Sequence, residues 1–209
     1  MGAISQSCNV YFYQLGLKVG LWRLDAGGVQ LGFGKQTGID LPEELRPRFP
    51  DAVSYFDERY PGGWTQGAQA LNLSIGQGDN SQTILNMAGF YSAHATDGFA
   101  PTPRIAVQDA ERTKILTLTA HQMWEVRRGM IGVTAAGGTA ASAALSGGVT
   151  LAGKTGTARK PNDHGGYDEG FYVSSFAGFV PAEAPRLSAI VSFDEPRPIY
   201  YASLVAAPV

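Results

Sequence analysis

A lysine set among small residues and hydroxyls carries the most chemistry in this sequence. Gly153-Lys154-Thr155-Gly156-Thr157 follows a short β-type run, Val149-Thr150-Leu151-Ala152, and gives way to the polar, turn-rich segment 159–166. Lys154 supplies a compact positive charge, and Thr155 and Thr157 supply hydroxyl donors, a set suited to holding an anion. Gly153 and Gly156 leave room for another molecule's backbone beside the strand. The same five residues also fit a plain strand edge guarded by a lysine against aggregation. Far upstream, Ser7-Cys8-Asn9 brings a hydroxyl and an amide together near the start of an apolar stretch.

Two chemistries fit the lysine. Residues Gly148 to Thr155 match the phosphate-binding pattern G-x-x-x-x-G-K-[ST], and the run Ser188 to Glu195 ends in two acids where a magnesium ligand would sit. That pattern needs a strand before its first glycine and a helix after the Lys-Thr pair. Here Ala140 to Gly147 is a poor strand, Val149 to Ala152 reads as strand where loop is required, and Gly156 and Pro161 interrupt any following helix. The other chemistry is serine acyl transfer. Lys-Thr-Gly, Ser-x-Asn and Ser-x-x-Lys together form a known acyltransferase signature, and the first two are present. No serine in the chain has a lysine three residues later.

The bulk properties narrow the class. The 209 residues suffice for one domain or a large part of a bigger one, and 44% hydrophobic with 16% charged residues is a globular balance. A net charge of −2 gives no reason to expect nucleic acid. The single cysteine, Cys8, excludes an internal disulfide and reads as packed rather than reactive. No apolar run is long enough for a membrane span, and the start lacks the charged-then-apolar order of a signal peptide, so the chain reads as soluble. His94, His121 and His164 show no metal-site spacing, and no metal or other cofactor is implied. Asp163-His164 reads as a solvated loop, with a cleft rim as the alternative.

Helices are predicted over Ile4–Val19, capped by Ser5 or Ser7 with Val10, Tyr13 and Leu17 as an apolar stripe, and over Leu21–Phe33 despite Gly27-Gly28. Gly34 to Pro50 is a turn-rich connection, 51–70 an ordered surface loop, and Leu71 to Asn80 a segment dense in glycine and small polar residues. Further helices are predicted over Thr83–Thr96, ended by Asp97-Gly98, and over Thr119–Val133, capped by Thr119. Tyr60 and Trp64 are expected to pack in core or loop, and Arg127-Arg128 to form a solvated helix face. After the small-residue loop Gly137–Gly148 come the Lys154 strand and two runs, Phe171–Val180 and Leu187–Phe193, that read as an antiparallel hairpin. Helix first and sheet last gives an α+β class: 1–148 mainly helix and loop, 149–209 the sheet part.

Five segments together carry a family resemblance. They are Ser7-Cys8-Asn9-Val10-Tyr11-Phe12-Tyr13-Gln14-Leu15-Gly16, Thr37-Gly38-Ile39-Asp40-Leu41-Pro42, Leu73-Ser74-Ile75-Gly76-Gln77-Gly78, Leu151 to Ala158, and Phe176-Ala177-Gly178-Phe179-Val180-Pro181-Ala182. In this order and spacing the chain resembles the class B penicillin-binding proteins over nearly its whole length. The first block resembles the elongation-type enzymes, and the last, with Tyr200-Tyr201 and Val205 to Val209, the division type. The resemblance implies the penicillin-binding/β-lactamase-like transpeptidase fold, incomplete here, as the C-terminal part of a single domain. It implies peptidoglycan D,D-transpeptidation: acyl transfer from D-Ala-D-Ala stem peptides, with β-lactams as mimics of the donor. Lys154, Thr155 and Thr157 would hold the terminal carboxylate, and the Thr157 N–H would form half of the oxyanion hole. Ser7 would relay a proton to the leaving amine, Asn9 would hold the donor's acyl-chain amide, and Gly153 and Gly156 would let the substrate lie alongside.

The departure is the nucleophile. The family carries it in a Ser-x-x-Lys motif upstream of Ser-x-Asn, so the chain is expected to begin too late to contain it, and to lack a membrane anchor, the early strands and the closing helix. Such a fragment is expected to be inactive alone and of doubtful independent stability. The implied setting is the bacterial envelope, on the outer face of the cytoplasmic membrane, with a glycosyltransferase and other cell-wall synthesis proteins as partners. A nonenzymatic relative that binds wall peptides or β-lactams is the alternative, and the nucleotide hydrolase a third.

Overall fold

A computed structural model of the chain describes residues 2–106, 111–161 and 167–209, with the side chains of Val53, Pro161 and Asp168 left aside. Asp163 and His164 lie outside the described residues. Contacts divide the chain into two units, one of Met1–Ser7, His94–Asp97 and Leu118–Val209, the other of Cys8–Ala93 and Gly98–Thr117.

The predicted opening helix is two helices, α1 (Gly2–Ser5) and α2 (Asn9–Val19). The break falls at Ser7, whose φ of 51° is left-handed and ends the helical run. Neither serine caps α2. The Ser5 hydroxyl donates back to the Gly2 carbonyl, and Cys8 takes the cap position without a side-chain bond. Val10 and Leu17 of the apolar stripe are 64% and 53% exposed. The helix packs instead through Gly16, where an added Cβ would lie 2.4 Å from Cβ of Ser74.

In the second unit α3 (Leu21–Gln30) runs through Gly27-Gly28. A Cβ on Gly28 would lie 2.2 Å from the Phe49 ring, so close packing offsets the poor helix propensity there. The predicted loop 51–70 contains α4 (Val53–Arg59) and the start of α5 (Gln66–Ser74), the latter capped by Thr65. Phe56 of α4 is fully buried with Leu21 and Ala70, and Trp64 lies 4.9 Å from it, so Tyr60 and Trp64 do pack around a core. Asp79, also buried, accepts hydrogen bonds from the hydroxyls of Tyr55 (2.9 Å) and Tyr60 (2.6 Å). The 37–42 motif is braced by its own Asp40 and by Glu44 just beyond it. Thr37 donates from N and Oγ1 to Glu44, both at 2.7 Å, and Asp40 accepts from the Ile105 N–H at 2.7 Å. Strands β1 (Phe99–Pro101) and β2 (Arg112–Lys114) pair antiparallel. They follow α6 (Ile84–Ala95), which ends at left-handed Asp97 and Gly98 as expected.

Asp25 is the outlier of this unit. It is 5% exposed on α3 and neither carboxylate oxygen finds a hydrogen-bond partner among the described residues, so burial pushes its pKa up to about 6. A folded pKa above the unfolded value stabilises the fold below the unfolded value of 3.8, an advantage lost as pH rises through about 6. At neutral pH the charge is a burden. Asp25→Asn is expected to raise the melting temperature at pH 7 by about 2–4 °C, on the order of 1 kcal/mol for this size. It is also expected to flatten the stability profile between the two pKa values; thermal unfolding scans from pH 4 to 8 check both.

The first unit is a helix packed on a sheet. α7 (Ala120–Thr134) opens with a full capping box between Thr119 and Gln122 and buries Met123, Met130 and Val133. β3 (Ala152–Pro161), β4 (Tyr167–Val180) and β5 (Leu187–Asp194) form an antiparallel sheet in the order β3-β4-β5. The predicted hairpin is therefore β4–β5, and with it the α+β class. Val133, Ala140, Ala143, Phe176, Ala206 and Ala207 form the core, sealed by Ile4 and Leu151. Ala206 and Ala207 follow directly on α8 (Ala202–Val205), whose Ala202 is also buried. Arg127 does not sit on a solvated face. Its guanidinium donates to the His94 carbonyl at 2.6 Å and to Asp97 at 2.9 Å, 6.0 Å from the centre of the Phe179 ring.

Candidate functional site

Lys154 is the third residue of β3 and pairs with Ala177 of β4. On either side of it the ladder needs small residues. Gly153 lies opposite Gly178, and a Cβ on Gly153 would fall 2.3 Å from the Phe176 ring. A side chain at Gly153 would therefore collide with the protein's own aromatic core, while β3 itself is an edge strand in the order β3-β4-β5. Gly156 is less confined, with only the Ser175 hydroxyl close to where its Cβ would be.

The lysine's ammonium reaches across 147 residues of sequence to Ser7. Nζ donates to Oγ of Ser7 at 2.7 Å and to the Thr155 carbonyl at 2.9 Å, with Oγ1 of Thr155 at 3.4 Å. The left-handed backbone at Ser7, a conformation that costs a non-glycine residue about 1 kcal/mol or more, sits at this contact. Burial lowers the Lys154 pKa to about 8, so the side chain is mostly charged at neutral pH and close to titrating. Two hydroxyls and one labile ammonium in a chain can bind an anion and pass a proton.

One contributor was not read from the sequence. Thr139 follows α7 in the Gly137-Gly138-Thr139 turn; its Oγ1 lies 3.3 Å from Oγ1 of Thr155, and its N–H donates to the Ser5 carbonyl. Gln6 Nε2 donates to the Gly137 carbonyl at 2.8 Å. This turn thus holds both the segment bearing Ser7 and the strand bearing Lys154. A hydroxyl preceded by two glycines just past a helix was the available signal. Thr134 ties the end of α7 to the carbonyl of Leu151 at 2.6 Å, fixing the approach to β3.

Thr157 accepts a hydrogen bond from the Ala202 N–H at 3.1 Å, leaving its own proton to donate. Asn9 is the first residue of α2, exposed, in the second unit. Cys8, between Ser7 and Asn9 in sequence, is exposed, contrary to the packed reading, since the left-handed turn at Ser7 keeps it out of any core. The phosphate-loop reading fails on geometry. Lys154 is inside a continuous strand that runs to Pro161, so strand, and not a helix N-terminus, follows the Lys-Thr pair. Asp194 and Glu195 are bound to Lys160 at 3.0 and 2.8 Å.

Residues 1–209 match the family model described as the penicillin binding protein transpeptidase domain. The chain belongs to this family. Among its relatives, peptidoglycan D,D-transpeptidase MrdA of Acinetobacter baumannii is 30% identical over 99% of this chain and 33% of its own length. Penicillin-binding protein PbpB of Mycobacterium tuberculosis is 32% identical over 93% of this chain and 30% of its own. The chain thus spans about a third of the length of these relatives. Solved penicillin-binding proteins share the fold. The apo form of penicillin-binding protein 3 from M. tuberculosis superposes with a TM-score of 0.79 at 32% identity, over 99% of this chain and 48% of that one. Helicobacter pylori PBP2, solved in complex with MreC, gives 0.78 at 30% identity, over 92% and 36%.

The lowered pKa of Lys154 has a measurable consequence. A carboxylate held by its ammonium is expected to bind equally well from pH 6 to 7 and to weaken by up to about tenfold per pH unit above 8, as the lysine loses its proton. Calorimetric titration with a peptide carboxylate across pH 6–10 reads this directly. An affinity flat to pH 10 would mean that the lysine keeps an ordinary pKa or does not touch the anion.

Proposed function

We propose that this chain is the C-terminal part of a peptidoglycan D,D-transpeptidase domain, and that the Lys154–Ser7 pair is the proton-handling and carboxylate-binding half of its active site. The 2.7 Å contact between Nζ of Lys154 and Oγ of Ser7 supports this most, because it joins the two remote motifs into one chemical unit. In the proposed reaction a serine from a Ser-x-x-Lys motif attacks the carbonyl of the penultimate D-alanine, an ester forms, and the terminal D-alanine leaves as its amine. Ser7 passes that amine a proton, drawn through Lys154. Lys154, Thr155 and Thr157 hold the terminal carboxylate by charge-assisted hydrogen bonds. The Thr157 N–H polarises the scissile carbonyl, and Asn9 holds the acyl-chain amide. An amine of a neighbouring strand then takes the acyl group and frees the serine. β-Lactams would enter as donor mimics, and M. tuberculosis penicillin-binding protein 3 has been solved with aztreonam and with ampicillin. The setting proposed with this reaction is the outer face of the cytoplasmic membrane, beside a glycosyltransferase and other wall-synthesis proteins.

No serine of the 209 residues has lysine three positions on, which favours a second reading for the chain by itself: binding of wall peptides or β-lactams without turnover. Labelling with a fluorescent penicillin, read by intact mass, separates the two. The 209-residue chain is expected to remain unlabelled, and a form of the protein extended upstream through a Ser-x-x-Lys motif to gain one covalent adduct. Labelling of neither form leaves the binding reading, and labelling of the short chain would place the nucleophile within these residues.

A further inference from the structure

We infer that the second unit carries a basic, aromatic-floored groove that docks an acidic peptide segment of another protein. The groove encloses about 380 Å³. Among the residues lining it, Phe33 and Phe49 supply apolar rings, 5.4 Å apart edge to face, and Lys35, Arg46 and Arg48 supply positive charge against one acid, Asp51. All four charged residues are exposed, and none forms an ion pair among the described residues. The local excess of cations contrasts with a chain whose net charge is −2.

The groove is built in advance. Gly28 admits the Phe49 ring, and Gly34, at a φ of 79°, seats its backbone against Cβ of Phe49. The backbone at Arg48 is locked to Ser81 by two hydrogen bonds of 2.8 and 2.9 Å. The Asn86 amide holds the Lys35 carbonyl at 2.8 Å, and Nε of Arg46 donates to the Gly34 carbonyl at 3.0 Å. Fixing the cations on ordered backbone lowers the entropy lost on binding.

Charge complementarity selects the partner. Three cations attract carboxylates, the contacting rings offer an apolar surface for an aromatic or aliphatic side chain to lie against, and Asp51 can accept a backbone N–H. Asp51 places one negative charge among the three cations, so a peptide that spaces its acids and offers Asp51 a backbone N–H complements the groove better than the uniform charge of a phosphate polymer or lipid surface.

The test uses the 209-residue chain and a fluorescein-labelled Glu-Glu-Phe-Glu-Glu peptide, followed by anisotropy. Saturable binding is expected, weakening as salt rises from about 50 to 300 mM. The Lys35→Glu/Arg48→Glu variant is expected to lose at least tenfold in affinity. The milder Lys35→Gln/Arg48→Gln variant should lose at least threefold with an unchanged urea midpoint, which keeps the result separate from any loss of fold. No saturable binding, or equal affinity in both variants, overturns the proposal. So does equal binding of an all-glutamate peptide, or tighter binding of inorganic polyphosphate or phosphatidylglycerol vesicles through the same residues.

Discussion

Lys154→Gln is expected to lower the second-order rate of β-lactam acylation by about 10²–10³-fold in a form of the protein that carries its nucleophile. The magnitude combines two losses. A hydrogen bond to a charged group contributes about 1.5–3 kcal/mol, or about 10–150-fold, to holding the ligand's carboxylate. Proton transfer by a positioned group contributes a further factor, typically about 10²–10⁴, of which part survives through Ser7 and solvent. Ser7 also loses its 2.7 Å donor, so its hydroxyl is no longer oriented. Lys154→Arg tests which loss dominates. The guanidinium keeps the charge but is always protonated and cannot act as a relay. If carboxylate binding dominates, arginine should recover most of the rate; if the relay dominates, arginine should recover affinity with little rate. Stopped-flow acylation with a chromogenic cephalosporin gives both parameters. A glutamine variant within threefold of the parent would remove Lys154 from the chemistry.

The residues that meet at Lys154 were more legible than the packing around them. Lys154 and Ser7 stood out because an ammonium among glycines and hydroxyls has few uses, and the strand alternation after Gly148 announced the sheet. The helix break at Ser7 was not legible, since Ile4 to Tyr13 contains no proline or glycine and reads as one continuous helix. What imposes the break is tertiary: the Ser5 carbonyl is tied to Thr139 and the Ser7 hydroxyl to Lys154. The stripe Val10, Tyr13, Leu17 has helical period, yet α2 makes its close approach through Gly16, whose lack of a side chain hides it from any hydrophobic count. α4 escaped for a similar reason. Seven residues with one fully buried ring, Phe56, carry too little periodicity to distinguish a helix from an aromatic-rich loop. Cys8 looked packed by residue type and is exposed by local backbone geometry. Glycine roles divided in the same way. The need for a glycine at 153 that comes from inside the protein, opposite Gly178 and under Phe176, was set by the register and could not be read from the spacing around Lys154.

Gly138→Ala carries the second large effect, and it tests how far the site depends on the turn behind it. An added Cβ would lie 2.2 Å from the Gly132 carbonyl oxygen and 2.3 Å from that of Val133, both main-chain atoms of α7 that cannot swing aside. Gly138 is outside the left-handed region, so the obstacle is space and not backbone strain. Either the end of α7 moves or the turn does. Moving α7 disturbs Val133, which is fully buried in the core, and overpacking of this kind costs typically about 1–3 kcal/mol. Moving the turn shifts Thr139, and with it the bonds to Ser5 and Thr155 that bracket the Ser7–Lys154 contact. The two routes are separable by experiment. Chemical unfolding is expected to show a loss of about 2–3 kcal/mol if the helix yields. If the turn yields, stability should fall by less than about 1 kcal/mol while carboxylate affinity drops at least tenfold, because a misplaced hydroxyl loses most of its hydrogen-bond energy with small changes in distance and angle. Thr139→Ser, which keeps the hydroxyl and removes only a methyl, should retain affinity under either route. A Gly138→Ala chain with unchanged stability and unchanged affinity would show that the turn is not what sets the distance between Ser7 and Lys154.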